Sequence, residues 1–232
     1  LSLKKTKLVV LNIKKYSDNS LIVQAFSQNS GLLSLIYTKS KGAKSQTYFQ
    51  ALNVLEVSYY LKPKSSLYRV KEVAFIPSLS YQGAGIATNA IRFFIAEFLY
   101  YTIQEKEANT PLYSFIERNI GLLNESNYTP KTFSIEFIYN LCPFVGIAPD
   151  LTTEGAYFDL QEGLMVEKVP LHQDHLDLKD SVLIKQLNSD LSTLNKKERN
   201  RLLDILILYY NIQFGGTLER LSSKKILMEV FE

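Results

Sequence analysis

The hydrophobic period of this chain changes once along its length, near Pro77. Before that point apolar residues alternate in short runs; after it they recur about every 3.6 positions. With 232 residues and one such switch, the expected class is α+β, strands first and helices afterwards. Five β runs are read ahead of the switch, at 6–16, 21–27, 32–37, 52–61 and 67–75. Ser17-Asp18-Asn19-Ser20, Gln28-Asn29-Ser30-Gly31 and Lys62-Pro63-Lys64-Ser65-Ser66 supply turn chemistry between them. Within 52–61, Leu55, Val57 and Tyr59 share one face while Glu56 and Ser58 share the other. This spacing predicts a small closed or partly closed barrel. The five-stranded OB barrel is the leading candidate, and small SH3-like barrels read similarly.

Past Gln82-Gly83-Ala84-Gly85, a hinge-like stretch, Ile86 to Lys106 reads as a helix apolar on most sides, through Ile91, Phe94, Ile95, Phe98 and Leu99. Asn89, Arg92 and Glu97 interrupt that segment and would be costly in lipid, so it is expected at the centre of a helical core. Thr110-Pro111 and Thr129-Pro130 each read as a capping residue followed by proline at the first helical position. They predict helices to Leu123 and over Phe133 to Val145. Gly146 to Asp180 is irregular and acidic, with a short hairpin from Tyr157-Phe158-Asp159 and Leu164-Met165-Val166. Asn195 to Glu198 forms a capping box for a long helix with Leu202, Leu203, Leu206, Tyr209, Tyr210 and Ile212 on its apolar side. Gly215-Gly216 stops it, and a last helix or turn carries Arg220, Lys224 and Lys225. The expected domains are 1–80, a nucleic-acid-binding barrel, and 81–232, mostly helical with the irregular hairpin region at about 146–180.

The net charge of +3 hides a polarity. Residues 1–82 hold twelve lysines and arginines against three acids, whereas 83–232 hold fourteen against twenty. A segment at +9 is the footprint of a polyanion-binding module. Its most basic stretch, I-Y-T-K-S-K-G-A-K-S-Q from Ile36 to Gln46, spaces Lys39, Lys41 and Lys44 with small polar residues. Such a loop suits a nucleic-acid backbone, with a solvated lysine loop as the competing reading. Arg69 and Lys71 share a strand face and extend the same surface. Tyr16, Phe26, Tyr37, Tyr48, Tyr59, Tyr60 and Tyr68 lie in the same segment. Most of these rings are needed as core, leaving one or two to stack on bases.

Other chemistry finds little support. No glycine-rich run closed by Lys-Ser or Lys-Thr exists, so a phosphate-gripping nucleotide loop is absent. The single cysteine, Cys142, lies among apolar residues, which suits inert packing and a reducing cytoplasm. His172 and His175, with Asp174 and Asp177, are read as a solvated polar loop rather than a zinc site. Glu105 and Glu107 read as solvated charge. No catalytic constellation emerges, and neither a cofactor nor a metal is expected. No charged-then-apolar leader with a cleavage site is visible.

The order of parts resembles one family. Y-S-D-N-S-L-I-V-Q-A-F-S-Q-N-S-G-L-L-S, Tyr16 to Ser34, resembles the opening of the bacterial DNA-repair RecO family, with Gly31 as its turn glycine. K-S-K-G-A-K-S (Lys39 to Ser45) is similar to that family's basic loop, and L-C-P-F-V-G-I-A-P (Leu141 to Pro149) to its Leu-x-x-Leu-Gly-Phe-x-Pro segment. Tyr157-Phe158-Asp159 with Glu162-Gly163 matches its hairpin, and L-S-S-K-K-I-L (Leu221 to Leu227) resembles its ending.

The resemblance implies an OB domain followed by a helical domain, in a recombination mediator that hydrolyses no nucleotide. It implies binding of single- and double-stranded DNA, annealing, and loading of the RecA recombinase with the partner RecR onto strands coated by single-stranded DNA-binding protein. Phosphate contacts are expected at Lys39, Lys41, Lys44, Arg69 and Lys71, with Lys224 and Lys225 extending the track. A cytoplasmic, nucleoid-associated location follows from the same likeness. The alternative is a docking adaptor whose helical domain binds the acidic, phenylalanine-ended tail of the coating protein through Arg118 and Lys131, with DNA contact secondary. Many members hold zinc through two Cys-x-x-Cys pairs about the hairpin; this chain has no cysteine there, so packing is expected to hold it.

Overall fold

The computed structural model describes residues 2–38, 48–62, 65–79, 83, 85–125 and 128–231. Five strands, β1 (Ser2–Ser17), β2 (Ser20–Ser27), β3 (Gly31–Thr38), β4 (Val54–Leu61) and β5 (Tyr68–Phe75), form a closed barrel in the order β1-β2-β3-β5-β4. β3 and β5 run parallel, and β1 completes the circuit by pairing with β4 over Ser2 to Val9. That order is the OB topology, so the SH3-like alternative falls away. β1 starts four residues before the apolar run that announced it, because its polar opening, Ser2 to Lys5, is ordered by β4 rather than by burial of its side chains. From Leu8 the same strand also pairs with β2, with a register shift between Val10 and Asn12.

The inward residues fill the barrel: Leu8, Val10, Val23, Ala25, Leu35, Leu55 and Val57 are fully buried. Burying each Leu or Val contributes about 1.5–3 kcal/mol relative to exposure. Tyr37 and Tyr59 belong to this core, and Phe26 is buried on the outer face against Tyr113, ring centroids 6.2 Å apart. Of the aromatic candidates, Tyr16 stands out into solvent, 63% exposed.

Two helices, α1 (Ile86–Thr102) and α2 (Thr110–Asn124), belong to the same compact unit as the barrel, Leu1–Tyr128. The predicted helix to Lys106 ends earlier, at Thr102, because Ile103 adopts an extended conformation and leads the chain back to the barrel. There the Leu32 N–H donates to the Glu105 carbonyl at 2.8 Å. The cap of α2 is Asn109 rather than Thr110: its side chain accepts from the Leu112 N–H at 3.1 Å, and Pro111 is the second helical residue. Arg92, only 2% exposed, donates to the Ala51 carbonyl, to Asn53 Oδ1 and to Asn124 Oδ1 at 3.1–3.2 Å. It thereby joins both helices to the chain entering β4.

The second compact unit, Thr129–Glu232, holds α3 (Phe133–Leu141), β6 (Tyr157–Asp159), β7 (Leu164–Val166), α4 (Leu178–Ile184), α5 (Lys196–Gln213) and α6 (Ser223–Val230). Thr129-Pro130 does not cap α3. The Thr132 and Phe133 N–H groups both donate to the Thr129 carbonyl, forming a turn, and the helix begins at Phe133. The Cys142–Val145 end of that segment is a 3-10 turn. The capping box of α5 is present in full, with Asn195 N–H to Glu198 at 2.8 Å and Glu198 N–H to Asn195 at 3.1 Å. β6 and β7 pair as the predicted hairpin. Phe158 is buried edge-on to Tyr209 at 5.7 Å, and its N–H donates to Ser181 Oγ at 2.9 Å. α4 was hidden in the irregular acidic stretch; the Asp180 carboxylate accepts from Arg201 Nε through both oxygens, at 3.0 and 2.9 Å, tying it to α5.

Gly31 shows what the join between the barrel and the 103–108 segment requires. Its φ is +64°, and a Cβ there would lie 2.5 Å from the carbonyl oxygens of both Glu105 and Glu107. Gly31→Ala is therefore expected to cost about 2 kcal/mol or more and to lower Tm by about 4–8 °C. Thermal unfolding followed by circular dichroism checks this; an unchanged Tm would show that the segment yields freely.

Candidate nucleic-acid interface

Strand register assembles a surface that no single stretch of sequence displays. Directly paired residues in a sheet face the same side. Lys14 pairs with Ile22, Ile22 with Ile36, Ile36 with Arg69 and Arg69 with Tyr60. Their neighbours Val23, Leu35 and Tyr59 point inward and are buried, so the whole row lies on the outer face. Ile22, Ile36 and Tyr60 are half-buried there, and Lys14 and Arg69 are exposed. Three strand steps separate the two cations, about 14 Å.

The cations differ in their company. Lys5, Lys7, Lys15 and Lys71 pair with Glu56, Glu117, Asp18 and Glu72 at 2.7, 3.9, 2.9 and 3.5 Å. Among the described residues, Lys4, Lys14, Lys62 and Arg69 have no acidic partner within 4.0 Å. Exposed pairs of this kind contribute only about 0–1 kcal/mol, so the paired lysines also remain exchangeable toward phosphate.

One rung along from the row, Gln24 pairs with Ser34, and both line a cavity of about 710 Å³. Lys4, Lys5, Lys106, Tyr59, Tyr68 and Tyr100 also contribute to its wall. It opens where β3 and β5 are joined by only two residue pairs, Leu35 with Tyr68 and Ile36 with Arg69.

The residues expected from sequence are distributed as follows. Arg69 stands in the row, and Lys71 is exposed on β5 at the register shift opposite Ser58 and Tyr59. Lys39, Lys41 and Lys44 lie outside the described residues. Lys224, on α6, pairs with Asp204 at 2.5 Å, and Lys225 with Glu229 at 3.8 Å. Arg118 is exposed on α2 in the first unit, and Lys131 is exposed ahead of α3 in the second. Lys131 edges a groove with Lys196 and Arg199 around Ile135, Leu203 and Phe231. Lys4, Lys14, Lys106 and Tyr100 were not singled out from sequence. Alternation alone could have put Lys14 outward, but its neighbours on the row depend on strand order.

An OB barrel followed in sequence by a helical unit with one hairpin is the class of protein that the fold defines. The comparisons narrow it. The family model described as Recombination protein O N terminal matches residues 1–79, and Recombination protein O C terminal matches residues 84–222. The chain is 31% identical to the DNA repair protein RecO of Flavobacterium psychrophilum, over 98% of both chains. It is 30% identical to that of Phocaeicola vulgatus over 99% of both, and 31% identical to that of Bacteroides fragilis over 99% of this chain and all of the relative. The chain belongs to the RecO family, and its role lies in DNA repair and recombination.

The hairpin region does not fit the zinc that many members hold. Its carboxylate, Asp159, already accepts from the Gln161 and Glu162 N–H groups and meets His172 Nε2 at 3.1 Å. His175 Nδ1 is engaged with the His172 carbonyl at 2.8 Å. Among the described residues no three His, Cys, Asp or Glu side chains are grouped to hold a metal ion. Cys142 is fully buried, and burial pushes its thiol up to about 12, so it stays protonated and unreactive at neutral pH. No helix among the described residues is long and apolar enough to cross a membrane.

Proposed function

We propose that the chain is a recombination mediator that binds single- and double-stranded DNA, anneals complementary strands and helps load recombinase onto coated single strands. The observation that carries this reading is the outer-face row, with Lys14 and Arg69 bracketing Ile22 and Ile36 on a segment of net charge +9. Two cations about 14 Å apart suit phosphates of one strand, and the apolar strip between them gives unstacked bases a surface without reading their sequence. Annealing asks for little more: phosphate charge on two strands is neutralised, counterions leave, and bases stay free to pair. Lys39, Lys41 and Lys44 follow β3 directly in sequence and would extend the row's hold on backbone; Lys71 and, on α6, Lys224 and Lys225 would add contacts. No turnover is needed for this work, and the proposed setting is the nucleoid of the cytoplasm, with RecR as partner in loading. Residues 1–80 are the proposed DNA-binding module and 81–232 the proposed helical domain.

Replacing Lys39, Lys41 and Lys44 together by glutamate is expected to weaken single-strand binding and to reduce the slope of log K against log salt by about 0.7 per lost contact. Fluorescence anisotropy on a labelled oligonucleotide between 50 and about 200 mM salt reads this. An unchanged slope would remove these lysines from the mechanism.

A second reading has its own support. The groove of the second unit is lined by Lys131, Lys196 and Arg199 with Ile135, Leu203 and Phe231. At about 30 Å³ it would have to widen to seat a ring, but its charge and apolar lining suit a peptide tail bearing carboxylates and a phenylalanine. On this reading the helical domain docks the tail of single-stranded DNA-binding protein, and DNA contact is secondary. Lys131→Glu is expected to weaken binding of a labelled tail peptide by about tenfold, the loss of roughly 1.4 kcal/mol. Arg118→Glu tests the other expected cation separately. Affinity indifferent to Lys131 would exclude the groove; affinity indifferent to Arg118 would drop that residue alone.

A further inference from the structure

We propose that the cavity at the β3–β5 seam takes one nucleotide of a bound single strand, its base against the tyrosine wall and its phosphate at Lys4 and Lys106. The proposal rests on the reading of the barrel as DNA-binding and gives that surface a defined subsite. At about 710 Å³ the cavity falls within the range of sites that enclose small molecules, roughly 300–1,000 Å³.

The lining selects the ligand. Among the described residues, Lys4, Lys5 and Lys106 are the charged ones in its wall, and none is a carboxylate. Lys5 already pairs with Glu56, whereas Lys4 and Lys106 have no acidic partner within 4.0 Å among the described residues. Tyr59 and Tyr68 lie 5.6 Å apart with their rings tilted 43°, and Tyr100 adds a third aromatic. Leu33 and Leu61 make part of the wall too apolar for inorganic phosphate alone, while the lysines disfavour a purely hydrocarbon ligand. Gln24 and Ser34 add polar groups to the wall. A planar ring that packs on tyrosines, joined to an anion that meets lysines, is the chemistry of a nucleotide.

Continuity with the row favours a strand over a free nucleotide. Gln24 and Ser34 stand two residues along from Ile22 and Ile36, about 7 Å away. A strand held between Lys14 and Arg69 can therefore continue into the cavity. The 105–107 backbone lies close against the barrel: Leu32 N–H donates to the Glu105 carbonyl, and the absence of a Cβ at Gly31 lets that backbone approach, with Lys106 contributing to the cavity wall.

The test uses the full chain with a twelve-residue oligo-dT carrying photoreactive 5-iodo-deoxyuridine, and dTMP as competitor. Crosslinks are expected at Tyr68 or Tyr100 by peptide mass spectrometry. Lys106→Glu, at an exposed position, and Tyr100→Ala are each expected to weaken binding about tenfold and to abolish those crosslinks. dTMP is expected to compete only at concentrations at least about a hundredfold above the oligonucleotide. Oligonucleotide binding that persists with crosslinks elsewhere and no response to either variant overturns the subsite and leaves the barrel reading intact. Competition by dTMP at equal concentration overturns the strand assignment in favour of a free nucleotide. Failure of the wild-type chain to bind the oligonucleotide at all sinks the barrel reading, and the subsite with it.

Discussion

The double use of β1 is the constraint on which the first unit depends. Ser2 to Val9 pair with β4 and Leu8 to Ser17 with β2, so one strand closes the circuit from both sides. A 16-residue strand can do this only by changing partners: Leu8 and Val9 pair on both sides, and the register shift between Val10 and Asn12 follows directly on the β2 side. Lys4 and Lys14 consequently reach different parts of the surface, one at the cavity and one on the outer row. The same closure leaves β3 and β5 joined by just two residue pairs, where the cavity opens.

Charge and packing are arranged in complementary ways. The barrel's inner face is filled almost wholly by apolar residues, and the described lysines of its strands stay exposed or half-exposed, where desolvation costs them little. The one deeply buried cation among the described residues of the first unit, Arg92, is spent on structure, donating to a backbone carbonyl and two side-chain amides. In the second unit the buried Asp180 is answered by Arg201, and Lys224 by Asp204. Cations without an acidic partner among the described residues occur in both units, Lys4, Lys14, Lys62, Arg69 and Lys106 in the first and Lys131, Lys168, Lys179, Lys196 and Lys197 in the second. It is therefore the net charge of residues 1–82 that suits the first unit to a polyanion.

Much of the fold was legible because alternation and 3.6-residue periodicity are local signals. All five strands were found, the hairpin was found, and the capping box was read correctly from Asn195 and Glu198. The misreadings share a cause: a tertiary contact or neighbouring residue outweighed a local preference. The helix ended at Thr102 because the following residues serve the barrel turn, and Asn109 displaced Thr110 as cap because its carboxamide reaches Leu112. Thr129-Pro130 carried the right residues for a helix start but formed the turn before it. At the candidate surface, Arg69 was visible from strand alternation. The place of Lys14 in the row and the cavity were not, since the row joins residues up to 55 positions apart through strand order. The two compact units divide after Tyr128, whereas periodicity switches near Pro77, because α1 and α2 pack with the barrel. Period reports the type of local structure, and compactness reports what it packs against.

The most direct test of the account is the salt dependence of single-strand binding by the Lys14→Glu, Arg69→Glu double variant beside the wild-type chain. Both residues are exposed and without acidic partners among the described residues, so the change should leave folding intact, as thermal unfolding would verify. If the row holds phosphate, the slope of log K against log salt falls by about 1.4 for the two lost contacts. A variant that folds normally and keeps the wild-type slope would show that the outer face of the barrel does not carry the strand.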